Sequence, residues 1–366
     1  MRFIVTGGGT GGHIYPAMTI AKKLIENNHE VIYVGRKGSL EERLVTKEDI
    51  EFKGIDIVKI PKKNPKDAFK FLRLLFKSLG ECKKIIKDFK PDLVIGTGGY
   101  VSGPLVYAAQ KKKIKSMIFE LNVHAGITTR LLKKRATRIL VTNENTKKLL
   151  NKEDITNIVG IPIREEFDDI HDKADHESYY DFDNDKKVVL SFGGSGGQKS
   201  INENVLDMIK KHYKDMDFNI FHVSGTYSYS WFKEELEKDG IDYTKSNVRV
   251  GEYLYDMPKA LIDADMVITS AGALTLNEVS CVAKPVIIIP KAYVVENHQE
   301  YNARYFEDMG AAKMILEKDL NEEVLFDEVN KILHNDDIYK SMQEGLKKIF
   351  HKNAIDEIYD IIIKTV

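Results

Sequence analysis

Residues 2–13 read RFIVTGGGTGGH, an apolar run that passes directly into five glycines within six positions. The stretch that follows is amphipathic and carries Ala17, Ile20, Ala21 and Leu24 at helical spacing. A strand that turns through glycines into a helix is the opening unit of a doubly wound α/β domain. The turn should present backbone N–H groups to an anion such as a diphosphate, because the helix dipole favours negative charge there.

The same alternation of Val- and Ile-rich runs with amphipathic stretches recurs along the chain. It predicts strands at 2–5, 31–34, 92–95, 116–119, 138–141, 157–159, 187–192, 218–223, 248–250, 266–269, 285–289 and 312–316. Such apolar runs separated by helices indicate parallel sheets. Since 366 residues exceed one ordinary core, we predict two Rossmann-like, doubly wound α/β domains. The boundary should fall at 161/162, where glycine and proline end a strand.

The composition indicates a globular protein, with 43% hydrophobic and 30% charged residues. The two cysteines, Cys82 and Cys281, cannot build a disulfide framework or a zinc site, so we expect a reducing compartment. No apolar run reaches the roughly 18 residues of a spanning helix, and the opening apolar run is too short for a signal peptide. We therefore expect a protein that is neither secreted nor integral to a membrane.

The net charge of −1 conceals a strong asymmetry between the two halves. Residues 1–160 carry 31 basic and 16 acidic side chains, whereas residues 161–366 carry 24 and 40. A basic half predicts an anionic partner, which could be nucleic acid, a phospholipid surface or a phosphorylated substrate. Composition alone does not choose among these three.

Two further glycine turns follow predicted strands, at 96–104 and 193–198, and the first of them carries Tyr100 and Ser102. Ligands of open α/β sheets bind at the carboxyl ends of the strands, so all three turns are candidate binding loops. The first turn has the spacing of a dinucleotide loop, but Gly35 and Arg36 stand where the ribose-binding acidic residue is needed. Simple NAD binding is therefore disfavoured.

His13 ends the first glycine turn, at the start of the predicted helix. A helix N-terminus favours the neutral imidazole, which can accept a proton at physiological pH. His13 is therefore a candidate general base, and a histidine that only caps its own helix is the alternative.

Two later segments carry side chains suited to a nucleotide sugar. Residues 269–278 pass from a strand through small residues into a helix that holds Glu278, whose carboxylate can accept both ribose hydroxyls. A plain helix-surface glutamate is the alternative. After the strand at 285–289, His298 and Gln299 place imidazole and amide groups at a helix start, where they can contact sugar hydroxyls.

Taken in order, these motifs resemble the MurG family of inverting glycosyltransferases, along nearly the whole chain. The resemblance rests on residues 7–13 with Pro16, 98–104, 159–164, 193–195 with Asn202, 256–257, 272–278 and 298–299. Members of that family move N-acetylglucosamine from UDP-N-acetylglucosamine to undecaprenyl-pyrophosphoryl-N-acetylmuramoyl-pentapeptide (lipid I), giving lipid II. The implied architecture is GT-B, with two Rossmann-like domains facing across a cleft and the last helix, about 353–366, returning to domain 1–161.

The resemblance implies that domain 162–352 holds the donor. Tyr253 and Leu254 would flank the uracil, Glu278 would take the ribose, and Gln299 would contact the sugar. The full set of implied donor residues is Arg164, Ser195, Gly196, Asn202, Tyr253, Leu254, Ala273, Glu278, His298 and Gln299.

The resemblance also implies an acceptor site in the first domain, where His13 would deprotonate the muramoyl 4-hydroxyl, with Glu120 and Asn122 as further catalytic residues. The loop residues implied near the lipid pyrophosphate are Thr10, Gly11, Gly12, Tyr100 and Ser102. No metal or other cofactor is expected, and no nucleic acid. A basic first domain would suit a peripheral position on the anionic cytoplasmic face of the membrane, with contact through residues 66–90.

Four positions depart from the family pattern. The family usually carries His-Glu-Gln-Asn at 119–122, where this chain has Phe119 and Leu121 in place of the histidine and glutamine. Gly196 changes the nucleotide loop, and Ser270 replaces a common arginine. The alternatives are therefore a related transferase with another acceptor, a UDP-N-acetylglucosamine 2-epimerase of the same fold, and a non-catalytic nucleotide-sugar-binding subunit.

Overall fold

The computed structural model describes residues 1–58, 65–167, 178–182, 185–194, 196–244 and 246–366. The chain divides into two units, one formed by Met1–Arg164 with His351–Val366 and the other by Glu165–Phe350. The boundaries expected from the sequence lie within three residues of these divisions. Each unit is an α/β domain built on a parallel sheet, so the predicted fold class is confirmed at the level of the domains.

The first unit contains a sheet of seven strands. The strands are β1 (Arg2–Thr6), β2 (Glu30–Arg36), β3 (Phe52–Ile55), β4 (Leu93–Gly96), β5 (Lys115–Glu120), β6 (Arg138–Val141) and β7 (Thr156–Ile158). The helices between them are α1 (Gly11–Glu26), α2 (Leu40–Lys47), α3 (Pro65–Phe89), α4 (Gly99–Lys111), α5 (Ile127–Leu132) and α6 (Glu144–Leu150). Short 3₁₀ turns lie at Lys133–Arg135 and Glu153–Ile155. The strand order is β3-β2-β1-β4-β5-β6-β7, and every pairing is parallel.

The second unit repeats this arrangement with six strands. They are β8 (Val188–Phe192), β9 (Asn219–Val223), β10 (Val248–Gly251), β11 (Met266–Thr269), β12 (Val286–Ile288) and β13 (Lys313–Met314), in the order β10-β9-β8-β11-β12-β13. The helices are α7 (Lys199–His212), α8 (Tyr229–Lys238), α9 (Met257–Asp263), α10 (Ala273–Cys281), α11 (His298–Asp308), α12 (Glu322–His334) and α13 (Asp336–Ile349). Short 3₁₀ turns lie at Glu165–Phe167 and Val295–Asn297.

One more helix, α14 (Ala354–Thr365), belongs to the first unit although it follows the second along the chain. It packs on α1, where Lys23 forms a 2.7 Å ion pair with Asp356. His29 Nε2 lies 3.2 Å from the Tyr359 hydroxyl. Ile358 and Ile362 are buried on the same helix, so α14 supplies part of the first unit's core.

Each sheet is buried on both faces, which explains the apolar runs of the sequence. In β1 the side chains of Phe3, Ile4 and Val5 are all inaccessible to solvent. The apolar faces of α1 and α4 cover the first sheet, while α7 and α12 pack together over the second. Because both faces are covered, the ligand-accessible parts of such a sheet are the loops at the carboxyl ends of its strands. Among the described residues, no helix is both long and apolar enough to cross a membrane.

The structure corrects the strand assignment at two places. The edge strand β3 was not predicted, because FKGI contains a lysine and a glycine and lacks a clear apolar run. Strand β13 covers two residues, whereas the sequence analysis predicted 312–316. Neither difference changes where the predicted glycine turns lie in the chain.

Candidate functional site

The imidazole of His13 is oriented by the backbone of the second glycine turn. His13 is the third residue of α1, and its Nδ1 atom lies 3.0 Å from the carbonyl oxygen of Thr97. The Thr97 hydroxyl in turn donates to the His13 carbonyl oxygen at 2.7 Å. A carbonyl oxygen can only accept, so Nδ1 carries the proton in the neutral ring and Nε2 is the basic nitrogen. The reciprocal pair fixes both the position and the tautomer of the predicted base.

Glycines allow the two turns to approach this closely. A Cβ on Gly7 would lie 2.1 Å from Thr97 Oγ1, and one on Gly99 would lie 2.2 Å from the Gly8 carbonyl oxygen. Gly98 and Gly99 also have positive φ angles of 103° and 74°, which L side chains rarely adopt. The buried Tyr33 hydroxyl donates to the Gly7 carbonyl oxygen at 2.8 Å and holds the first turn from below. The glycine spacing therefore serves backbone contact between the turns.

The other residues predicted to bind the acceptor lie in or beside these two glycine turns, and their roles differ. Thr10 is the exposed N-cap position of α1, and Gly11 and Gly12 form the first turn of that helix. Tyr100 covers Gly9, since a Cβ on Gly9 would lie 2.8 Å from its ring. Ser102 is buried and donates to the Gly99 carbonyl oxygen at 3.2 Å. Ser102 therefore supports the turn, whereas the half-buried Tyr100 remains accessible to a ligand.

Both carboxylate oxygens of Glu120 bind the loop that follows β5. Oε1 accepts from the backbone N–H of Asn122 at 3.1 Å and from its side-chain amide at 3.2 Å. Oε2 accepts from the Gly126 N–H at 2.9 Å and from the Thr129 hydroxyl at 2.6 Å. A carboxylate that is 5% exposed and holds four donors is a positioning group. Glu120 therefore holds Asn122 and its loop in place, and the geometry does not favour a role in proton transfer.

Arg164 differs from its expected location. The domain boundary predicted at 161/162 puts Arg164 in the second domain, but the structure groups it with the first unit, at the end of that segment. Its guanidinium carbon lies 5.3 Å from the centre of the Tyr15 ring on α1. Arg164 therefore stands beside the helix that carries His13.

The third glycine turn connects β8 to α7 in the second unit. Gly194 and Gly197 have positive φ angles of 82° and 73°, and the Gly197 N–H donates to the Gly194 carbonyl oxygen at 2.9 Å. Gly196 is exposed at the tip. Ser195, one of the implied donor residues, lies outside the described residues. The turn leads into the N-terminus of a 14-residue helix, whose dipole favours an anion at this end.

Asn202 supports this turn from inside the domain. Its Nδ2 donates to the Ser224 carbonyl oxygen at 2.8 Å, and its Oδ1 lies 3.2 Å from Nε2 of His222. Nδ1 of His222 lies 3.1 Å from the Ser191 hydroxyl. Burial lowers the pKa of His222 to about 3, so the ring is neutral. The buried Asn202 was expected to contact the donor, but both ends of its amide are held by the protein.

The predicted uracil residues lie in the loop between β10 and α9. Leu254 is buried, whereas Tyr253 is 42% exposed and packs edge-on against Tyr255 with ring centres 5.2 Å apart. An accessible aromatic ring beside a buried leucine offers a flat apolar surface to a planar base. The role of this loop in binding the uracil stays a prediction.

Glu278 lies within the helix that follows β11. Ala273 begins α10, and Glu278, in the second turn, is 3% exposed. A carboxylate at this place in the helix can accept hydrogen bonds from the hydroxyls of a ribose.

Side chains in the first turns of α11 hydrogen-bond to the backbone of Ala271, which lies just before the helix that carries Glu278. Gln299 Oε1 accepts from the backbone N–H of Ala271 at 3.3 Å and of Lys291 at 2.9 Å. Asn302 Nδ2 donates to the Ala271 carbonyl oxygen at 3.0 Å. Gln299 thus has only its amide N–H groups left for a sugar. His298 is the first residue of α11, directly after Glu296 and Asn297, whose φ angles of 55° and 53° indicate a strained turn.

Three residues that the sequence analysis did not single out contribute to these loops. Thr97 orients His13, His222 orients Asn202, and Lys291 reaches the third glycine turn. A polar residue inside the apolar strand β9 was a signal for His222. Nothing in the sequence pattern marks Thr97 or Lys291, because both act through loops that only the fold brings together.

The basic face expected on residues 66–90 is partly visible on α3. Phe76 is 71% exposed, and Arg73, Lys77, Lys83 and Lys84 are exposed along the same helix. The side chains of Lys66, Phe69, Lys70 and Leu72 lie outside the described part of the chain. Within the described part, no cluster of three or more His, Cys, Asp or Glu side chains forms a metal site.

Two family models match the chain. The glycosyltransferase family 28 N-terminal domain matches residues 3–141, and the glycosyltransferase family 28 C-terminal domain matches residues 188–358. A relative from Finegoldia magna, named UDP-N-acetylglucosamine--N-acetylmuramyl-(pentapeptide) pyrophosphoryl-undecaprenol N-acetylglucosamine transferase, is 42% identical over 369 residues. The match covers 99% of this chain and 98% of the relative.

Two solved structures are similar to the chain. The crystal structure of Acinetobacter baumannii MurG is similar with a TM-score of 0.77 at 26% identity, covering 99% of both chains. A putative UDP-N-acetylglucosamine 2-epimerase from Listeria monocytogenes gives a TM-score of 0.72 at 13% identity, covering 99% of this chain and 95% of the other. The latter likeness shows the fold alone.

Proposed function

We infer the reaction from one premise, that this chain belongs to glycosyltransferase family 28, whose two domain models match residues 3–141 and 188–358. The chain is an N-acetylglucosaminyltransferase of the MurG family with the two parallel-sheet α/β domains of GT-B enzymes. It transfers N-acetylglucosamine from UDP-N-acetylglucosamine to lipid I, giving lipid II for peptidoglycan. The observation that carries this conclusion is the 42% identity to a transferase of that name over 99% of the chain.

The donor is proposed to bind at the carboxyl edge of the second sheet. The glycine turn between β8 and α7 would receive the diphosphate, supported by the helix dipole. The exposed ring of Tyr253 would cover the uracil, and the buried Glu278 would accept the ribose hydroxyls. The amide N–H groups of Gln299 would contact the sugar. These assignments rest on the family resemblance and on the place of each group in the segment that follows a strand of the second sheet.

The acceptor is proposed to bind at the paired glycine turns of the first unit. Their backbone N–H groups suit the pyrophosphate, and Tyr100 lies beside them. His13 would be the general base, because the Thr97 carbonyl oxygen leaves Nε2 as its basic nitrogen. Glu120 would act through Asn122, by holding the loop after β5.

The proposed chemical step uses His13 as the base and UDP as the leaving group. His13 Nε2 takes the proton of the muramoyl 4-hydroxyl while that oxygen attacks the anomeric carbon. The bond between the anomeric carbon and the phosphate oxygen breaks, and its electron pair leaves with UDP. Attack from the opposite face inverts the anomeric configuration. General-base assistance of this kind typically contributes about 10²- to 10⁴-fold in rate.

We also propose that the first unit contacts the anionic cytoplasmic face of the membrane, where a lipid-linked acceptor is presented. The support is the exposed Phe76 among the exposed basic residues of α3, together with the excess of basic side chains in residues 1–160. Each basic residue near an anionic surface contributes about 1 kcal/mol of attraction at moderate salt.

The direct test is to incubate the purified chain with radiolabelled UDP-N-acetylglucosamine and lipid I. The expected products are lipid II and UDP in equal amounts. Transfer to a different acceptor only, with no lipid II, would contradict the assigned reaction and favour a related transferase. Acceptor-free isomerisation to the mannosamine form would instead indicate an epimerase.

A further inference from the structure

Lys291 brings a positive charge to the glycine turn of the second unit. It follows β12 by three residues, and its Nζ donates to the Gly197 carbonyl oxygen at 3.1 Å. Its backbone N–H donates to Gln299 Oε1, which ties the residue to the start of α11. The strand order β8-β11-β12 means that this side chain reaches past the end of β11 to the turn after β8. The position of Lys291 is therefore set by the loop after β12, the start of α11 and the glycine turn after β8.

The charge of Lys291 has little compensation inside the protein. Among the described residues, Lys291 forms no ion pair, and the Gly197 carbonyl oxygen is the one hydrogen-bond acceptor of its Nζ. Glu317 is the nearby acidic group, but its oxygens accept from the Gln198 amide, the Ser200 hydroxyl and the Ala292 N–H. Burial lowers the pKa of Lys291, and Glu317 opposes this change. A half-buried ammonium with a single hydrogen-bond acceptor among the described residues is suited to an incoming anion.

We propose that Lys291 is a binding residue for the diphosphate of the nucleotide sugar and stabilises UDP as it leaves. The proposal rests on the function proposed above. When the bond from the anomeric carbon to the phosphate oxygen breaks, the electron pair stays on that oxygen and the diphosphate gains one negative charge. A cation at the turn therefore interacts more strongly with departing UDP than with the intact donor, which lowers the barrier as well as the dissociation constant.

A purely structural role makes a different prediction. If Lys291 only held the Gly197 carbonyl oxygen, a neutral donor such as glutamine would preserve the turn. A role in charge recognition requires a cation, which Lys291→Arg retains and Lys291→Gln removes. Lys284→Gln is a matched control, because Lys284 is also half-buried and donates to a backbone carbonyl, that of Ile262 at 2.7 Å, but precedes β12 at the opposite edge.

The experiment is calorimetric titration of the full chain and these three variants with UDP, UMP and uridine, together with lipid II synthesis rates. We expect Lys291→Gln to weaken UDP binding by about 10- to 100-fold and to change uridine binding by less than about twofold. Lys291→Arg should recover most of the affinity, and Lys284→Gln should match the wild type.

Unchanged UDP affinity in Lys291→Gln, or an equal loss for UDP and uridine, would overturn the proposal for Lys291 while leaving the transferase intact. Failure of the wild-type chain to bind UDP or to form lipid II would be a failure of the proposed function itself. The wild-type measurements therefore separate the two.

Discussion

Nδ1 of His13 lies 3.0 Å from the carbonyl oxygen of Thr97, so a backbone group of one glycine turn sets the tautomer of an imidazole on the other. This relationship predicts that His13→Ala lowers kcat by about 10²- to 10⁴-fold and leaves the Kd for UDP-N-acetylglucosamine unchanged. Lipid II synthesis and donor titration measure the two quantities. His334→Ala, at an exposed histidine of the second unit, is the control. Equal loss of turnover and donor affinity would indicate a structural histidine.

The second prediction concerns the close contact of the turns. Gly99→Ala would place a methyl group 2.2 Å from the Gly8 carbonyl oxygen, where only backbone movement can make room. Gly310→Ala is the matched control, since Gly310 also has positive φ but nothing lies within 4 Å of its Cβ position. We expect the control to lose about 1–2 kcal/mol of unfolding free energy with normal kcat. Gly99→Ala should lose more stability and also lose turnover, as measured by urea denaturation and initial rates.

The third prediction tests ribose recognition by Glu278. Glu278→Gln should weaken UDP binding by about 10- to 100-fold, because a charged hydrogen-bond acceptor is replaced by a neutral one. The variant should also stop discriminating between UDP and 2′-deoxy-UDP, which the wild type should distinguish. Glu323→Gln, on the exposed face of α12, is the control. Retained discrimination in Glu278→Gln would remove this carboxylate from the ribose site.

The fourth prediction follows from the buried His222. Burial lowers its pKa from 6.5 to about 3, so between these values the unfolded chain binds a proton that the folded chain does not. The free energy of unfolding contributed by His222 is therefore complete above pH 6.5 and falls as the pH decreases, by up to about 1.4 kcal/mol per pH unit.

His222→Gln removes this dependence and also breaks the link to Asn202. Its deficit in unfolding free energy relative to the wild type should therefore shrink by roughly 2 kcal/mol between pH 6.5 and pH 5. Urea denaturation at each pH measures the deficit. A deficit that stays constant over this range would contradict a neutral buried imidazole.

The fifth prediction concerns membrane contact through α3. Phe76→Asp should weaken binding to vesicles containing anionic lipid by about tenfold or more, since it removes apolar area and adds repulsion. Tyr227→Asp, at a tyrosine that is 93% exposed in the second unit, should bind like the wild type. Cosedimentation with the vesicles measures both, and equal effects of the two substitutions would argue against a specific face.

The strands that place the loops could be predicted from the sequence, because buried parallel strands leave apolar runs and their glycine turns follow directly. The edge strand β3 could not, since an edge position needs no continuous apolar run. Among site residues, His13 was recognisable from its place at a helix start. The sequence did not reveal that the Asn202 amide binds other parts of the protein, because its partner His222 lies on β9 and its partner Ser224 lies in the loop after β9.

The roles of two charged residues also depend on contacts that the sequence does not show. Glu120 resembles a catalytic carboxylate until its four donors are known, and all of them lie within nine residues of it, in the loop after β5 and the first turn of α5. Lys291 is one of many lysines by composition. Only the neighbouring positions of β8, β11 and β12 bring it to Gly197.

The placement of α14 has a consequence for biosynthesis. A ribosome makes Met1–Arg164, then all of Glu165–Phe350, before the segment that covers α1 emerges. At about 5–20 residues per second, the nascent amino-terminal domain waits on the order of 10–40 s for this helix, while the intervening domain is translated as one continuous piece. The domain that is translated second is therefore complete before the first one. During this interval the apolar surface of α1 that α14 later covers is exposed, and a chaperone could bind it.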